Sequence, residues 1–130
     1  LEEMGLFGSS SFASKHKKAM KDKLLLNFDC VSDGDTILFA VKQKAKKYIP
    51  ALEKSFASDG YFKVDIASKG VFYPSDQANF KAGVGVASLK YSKKLRALYM
   101  DKIHTKHDTV FNEANIRFLA DGAVRVLDEL

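Results

Sequence analysis

Leu24-Leu25-Leu26-Asn27-Phe28-Asp29-Cys30-Val31 is the stretch on which the fold turns. It is apolar except at Asn27 and Asp29, and it is short for a helix. A continuous apolar run of this length reads as a buried strand of the kind found in parallel sheets. Ser32-Asp33-Gly34-Asp35 follows as a turn, and residues 36–41, Thr-Ile-Leu-Phe-Ala-Val, form a second strand.

Beyond it, residues 42–58 follow a helical pattern, with Ala45, Tyr48, Ile49, Leu52 and Phe56 on one face. Pro50 implies a kink there or two short helices. Ser58-Asp59-Gly60 ends the segment. Residues 61–66 alternate, placing Phe62, Val64 and Ile66 on one side of a half-buried strand. Residues 67–75 are a loop holding Gly70 and Pro74. Ser75 is placed to cap a short helix through Phe80, which Gly83 closes. Residues 84–89 read as a strand, 90–94 as a polar turn and 95–100 as a further short strand. Asn112 or Thr109 caps a last helix, on which Ile116, Leu119, Ala120, Ala123, Val124 and Leu127 make a stripe that reads as core. Before the opening strand, Ser9-Ser10-Ser11 offers cap hydroxyls for a helix reaching about residue 21. There Phe12, Ala13, Ala19 and Met20 share a stripe with His16.

Strands alternating with helices make the class α/β with a mostly parallel sheet. In such sheets, sites lie at the carboxyl ends of strands. That rule selects Asp29, the loop before Ser75-Asp76, and the segment around His104.

The 130 residues suffice for about one domain with a real core, and 46% hydrophobic with 28% charged content is ordinary for a globular chain. No apolar run approaches the length of a membrane span. The net charge of +5 comes from lysines spread along predicted helices and beside strands, where they cover solvated faces. No nucleic-acid recognition motif accompanies them, so no nucleic-acid partner is expected. Cys30 is the single cysteine, so no internal disulfide is possible, and its apolar run marks it as a small buried residue rather than a nucleophile.

Three segments could carry chemistry: Glu2-Glu3, Asn27-Phe28-Asp29, and His104-Thr105-Lys106-His107-Asp108-Thr109. Singly, each has an ordinary reading as solvated charge, a turn cap or a loop residue. Together their oxygen and nitrogen donors suit zinc, although nothing in the spacing demands it.

Their order is more specific. Glu-Glu-x-Gly-Leu-x-Gly-Ser, a helix, a strand with Asn-x-Asp, Ser-Asp at a short helix, and His-Thr-x-x-Asp-Thr before a terminal helix resemble the M28 family of zinc exopeptidases. The resemblance covers essentially the whole chain and corresponds to the carboxyl-terminal part of the catalytic domain. It implies part of a three-layer α/β/α fold with a mostly parallel mixed sheet, two zinc ions in the complete domain, and a peptide substrate. Glu2 matches the general base, which carries a proton from water to the leaving amine. Glu3 and His104 match ligands of one zinc, and Asp29 matches a ligand of the other. Asp76 matches a loop near the substrate pocket. Asp108 is expected to orient the His104 loop or to cap the last helix. Gln77 departs from the His or Tyr that many members carry. His16 and His107 match no ligand position.

The resemblance also implies a His-x-Asp segment and a bridging Asp upstream of Glu2, and neither is present. With no initiator Met or leader before the Glu pair, residues 1–130 are expected to be one partial domain, inactive alone, with an exposed sheet edge. That edge would take the rest of the domain or a second copy. Family members are often exported or membrane-tethered, and a tether here would lie outside this chain. A glutaminyl cyclase, which shares related ligands around one zinc, and a non-catalytic interaction module of the same fold are the alternatives.

Overall fold

The computed structural model describes residues 4–69 and 74–130. Among them the order is α1 (Phe7–Lys15), β1 (Leu25–Phe28), β2 (Thr36–Val41), a 3-10 turn Gln43–Tyr48, α2 (Ile49–Ser55), β3 (Lys63–Ala67), a 3-10 turn Asp76–Asn79, β4 (Gly83–Ser92), β5 (Ala97–Tyr99) and α3 (Glu113–Glu129). The strands run β1-β4-β2-β3 across a mixed sheet, with β5 added to the far end of β4. Pairings β1–β4 and β2–β3 are parallel, whereas β2–β4 and β4–β5 are antiparallel. Among the described residues no helix is long and apolar enough to cross a membrane.

β2 holds the centre, and all six of its residues are buried. The two-residue period of a strand sends Ile37, Phe39 and Val41 to one face and Leu38 to the other. The first face meets Val84 and Val86 of β4 and is covered by Ala45, Leu52, Phe56, Phe118, Leu119 and Val126. The second carries Leu38, Ala87 and Leu89, with Ala67, Leu98 and Met100 against them. Pro50 divides residues 42–58 as its chemistry requires. It sits in the first turn of α2, where its missing N–H has no helical acceptor to lose. Asp59 closes the segment by accepting from the amides of Phe62 and Tyr61 at 3.0 and 2.9 Å. These bonds, that of Phe62 first, hold its carboxyl below the usual value.

Several elements differ from the sequence expectation. On α3 the buried residues are Asn115, Phe118, Leu119, Gly122 and Val126. Of the expected stripe only Leu119 is fully buried. Val124 and Leu127 are exposed, and Ile116, Ala120 and Ala123 line a shallow apolar groove with Phe28 and Val31. The helix is rotated because a glycine and an amide hold its inner face. A Cβ on Gly122 would stand 2.2 Å from the Phe56 ring. Asn115 donates to the Gly34 carbonyl at 2.8 Å and to Ser88 Oγ at 2.7 Å. Asn112 caps the helix, its side chain accepting from the Ala114 amide at 3.0 Å.

α1 starts at Phe7 and ends near Lys15, well short of residue 21, and it buries none of its residues. Its serines do not cap it. Leu6 occupies the cap in left-handed backbone with no side-chain bond, and the Ser9 hydroxyl donates back to the Leu6 carbonyl. Gly83 opens β4 rather than closing a helix, and β4 runs on through Ser92, into the expected turn at 90–94.

Candidate functional site

Asp29 stands directly after β1, at the carboxyl end of the strand. Its amide remains in the ladder, donating to the Val86 carbonyl at 3.0 Å. Ser75 Oγ donates to Asp29 Oδ2 at 2.6 Å, and the Cys30 thiol donates to Oδ1 at 3.3 Å. Ser75 stands at the cap position of the following 3-10 turn, but its hydroxyl is turned to Asp29. It makes no cap bond to the 3-10 turn that follows it and instead fixes a carboxylate 46 residues away. Asn27 supports it from the strand, donating to Ser75 Oγ and to Gln77 Oε1, both at 2.9 Å.

Sequence reasoning places Asn27 and Ser75 in the quoted motifs but joins neither to the Asp29 carboxylate. One signal was available: Asn27 and Asp29 are two apart on a strand, so they address the same side and a common neighbour. Gln77 is buried, with about 1% of its surface exposed. It braces Asn27 from the interior. Asp76 lies beside it in the same turn, half-buried.

Gly83 sets the height of that turn. A Cβ there would meet the Gln77 carbonyl oxygen at 2.4 Å, and backbone cannot step aside as a side chain can. Gly83→Ala is expected to cost about 1–3 kcal/mol of overpacking. A urea denaturation midpoint shift against the parent chain would measure it.

The His104 segment approaches from the other side. Ser32 Oγ donates to the Val110 carbonyl at 2.9 Å, and the Asn112 amide donates to the Ser32 carbonyl at 3.1 Å. These bonds tie the segment before α3 to the turn that follows Asp29. Within the loop, Thr105 is the organiser. Its hydroxyl donates to the Lys102 carbonyl at 2.6 Å and accepts from the His107 amide at 3.2 Å. Its own carbonyl accepts from the Asp108 amide at 3.1 Å. His104 is exposed, and so are His107 and Asp108.

Between the two segments lies a cavity of about 110 Å³, whose lining includes Cys30, Ile103 and Asp108. The immediate neighbours of Asp29 and His104 thus share one cavity. Both segments are also strained. Four non-glycine residues have left-handed backbone among those described, and Cys30 (φ 55°) and His104 (φ 60°) are two of them. Such strain persists where surrounding structure over-determines it, and it clusters at functional sites.

Salt bridges hold the cavity wall. Lys90 Nζ lies 2.8 Å from Asp33 Oδ2 and 3.6 Å from Asp101, and Lys102 reaches Asp33 at 3.8 Å. The hydrogen bond to Asp33 is the main cause that raises Lys90 above the ordinary lysine value of 10.5, with the charges of Asp33 and Asp101 adding to it. A group whose folded value is raised stabilises fully below its unfolded value and loses that contribution as pH climbs through the folded one. The melting-temperature deficit of Lys90→Met should therefore be complete at a pH well below 10.5 and shrink at a pH above it. Paired thermal melts at the two pH values check this.

Glu2 and Glu3 lie outside the described residues. Among those described, no group of three or more His, Cys, Asp or Glu is placed to hold a metal ion. What the structure assembles is the Asp29 carboxylate with its hydroxyl brace, and the His104 loop across a small cavity.

A family model described as Peptidase family M28 matches residues 1–124. The chain belongs to peptidase family M28. The M28 chain is also similar in fold to a crystal structure of the LapA aminopeptidase of Legionella pneumophila, with a TM-score of 0.73 at 19% sequence identity. That alignment covers 100% of this M28 chain and 37% of the LapA chain. No curated protein matches it.

Proposed function

We propose that this chain supplies the carboxyl-terminal portion of an M28 peptidase domain, and that the complete domain is a zinc-dependent aminopeptidase cleaving N-terminal peptide bonds. The observation that carries the reading is the Asp29 carboxylate, turned and held at the end of β1 by Ser75 in a chain of this family. Metal-ligating carboxylates are commonly fixed by such hydrogen bonds. The donor types also fit. Carboxylate oxygens from Asp29 and Glu3 and an imidazole nitrogen from His104 are the ligands zinc takes. In this reading Asp29 holds one ion, Glu3 and His104 hold the other, and Glu2 moves the proton. Zinc, when bound, lowers the pKa of water to about 7 and so supplies the nucleophile.

Ser75 and Asn27 keep Asp29 from turning, while Thr105 keeps the His104 loop folded. In this reading Asp76 would lie near the substrate pocket, and the Asp108 amide, donating to the Thr105 carbonyl, helps to hold the His104 loop. The chain contains neither the His-x-Asp segment nor the bridging Asp that the resemblance implies, and alone it is expected to be inactive.

The remainder of the domain would dock along β1. That strand pairs with β4 on one edge and with no other described strand. Beside it run Phe28 and Val31 and the outer stripe of α3, an apolar groove of about 210 Å³. An open edge beside an apolar face invites a further strand and its cover. The experiment is an assay of the complete domain on aminoacyl-nitroanilides and on N-terminal glutaminyl peptides, with and without a chelator. Hydrolysis of the first that the chelator abolishes is expected. Cyclisation of the second without hydrolysis, or activity that survives chelation, would overturn the reading.

A further inference from the structure

A second concave surface lies between α1 with its trailing turn and the 3-10 turn after Ser75. It is a groove of about 530 Å³, within the range of ligand-binding clefts. Met20 and Phe80 give it an apolar lining, and Lys17, Lys18, Lys21 and Lys81 surround it, with no carboxylate among the lining residues. Three lysines outside the groove are neutralised: Lys54 pairs with Glu129, and Lys90 and Lys102 with Asp33. None of the four groove lysines forms an ion pair among the described residues.

The groove is also built. α1 buries nothing in the core, so core packing does not account for its place. Asn79 fixes it instead, donating to Ser9 Oγ at 2.8 Å and to the Leu6 carbonyl at 3.4 Å. The Phe12 ring rests on His16 at 4.4 Å and lies 6.3 Å from Phe80, between centroids. Two walls are thus pinned to each other, with unneutralised cations around an apolar lining.

We propose that this groove binds an acidic polypeptide segment that carries an apolar side chain. Charge complementarity selects the acid, since four unpaired ammonium groups around one cleft repel each other until anions enter. The apolar lining selects an inserted side chain over a free inorganic anion, and the concave shape selects an extended chain over a flat bilayer surface. The same four-residue turn that begins beside Ser75, the partner of Asp29, ends in the groove wall at Asn79. If the peptidase reading above holds, which this extension alone rests on, the segment is the part of a substrate beyond its cleaved bond.

Fluorescence anisotropy tests the binding without reference to catalysis. Two labelled peptides are compared on the protein: one rich in Asp and Glu around a Phe, the other with each acid replaced by its amide. The acidic peptide should bind at least about tenfold more tightly and weaken as salt screens the charges. The combined variant Lys17→Glu, Lys21→Glu, Lys81→Glu should lose at least about tenfold. The variant Lys44→Glu, Lys47→Glu, Lys93→Glu, with the same net charge, should keep the affinity. Equal binding of the two peptides, equal loss in the two variants, or binding only to phosphatidylserine vesicles would overturn the proposal. Peptide binding in a protein without peptidase activity would uphold the groove and remove the catalytic reading. Hydrolysis without any acidic preference in binding would do the reverse.

Discussion

Replacing Asp29 by asparagine in the complete M28 domain is expected to lower kcat/KM for an aminoacyl-nitroanilide by about 10³-fold, or about 4 kcal/mol of transition-state stabilisation. The substitution keeps the shape of the side chain and its place at the end of β1. It removes the negative charge that a divalent ion requires. Ser75 Oγ can still donate to the remaining oxygen, so the fold should persist, with an unchanged melting temperature as the control. Ser75→Ala leaves the charge and removes the 2.6 Å brace. A loss of about 10–100-fold in activity or metal affinity is the usual effect of deleting a bond that orients a ligand. A kinetic comparison of the two variants separates a group that holds the ion from one that aims it. Equal losses would mean that Ser75 does more than position Asp29.

The largest effect on stability is expected at Phe56. Its ring is fully buried and lies 4.7 Å from Phe39 and 6.3 Å from Phe118, between centroids. It joins α2 to β2 and α3, and Gly122 is a glycine because the ring occupies the space of a Cβ. Phe56→Ala should cost about 3–5 kcal/mol, since neighbours drawn from a strand and two helices cannot all close on the gap. Chemical denaturation of the variant measures the loss. Gly122→Ala probes the same contact from the other side, pushing the ring instead of deleting it, at about 1–3 kcal/mol.

Much of this architecture could be read from local pattern. β2 is found where its apolar run stands, and Pro50 divides two short helices as a missing N–H requires. Asn112 caps α3 two residues before its first capped amide. What escaped was non-local. Nothing near Ser75 announces that its hydroxyl belongs to Asp29, because the sheet alone brings the two together. Counting apolar residues on α3 selected the outer stripe, since the inner face is held by Asn115 and Gly122, which such counting scores as absent. Gly83 looked like a helix stop, while its real constraint is the Gln77 carbonyl above it. The candidate ligands were legible only as a combination of motifs, for Asp29 or His104 alone is an ordinary turn residue.

Zinc titration by isothermal calorimetry, on the complete domain and on its Asp29→Asn variant, addresses the metal site most directly. Two tightly bound ions in the parent and one in the variant are expected, because Glu3 and His104 would retain theirs. Two ions bound with unchanged affinity by the variant would contradict the assignment of Asp29 as a ligand.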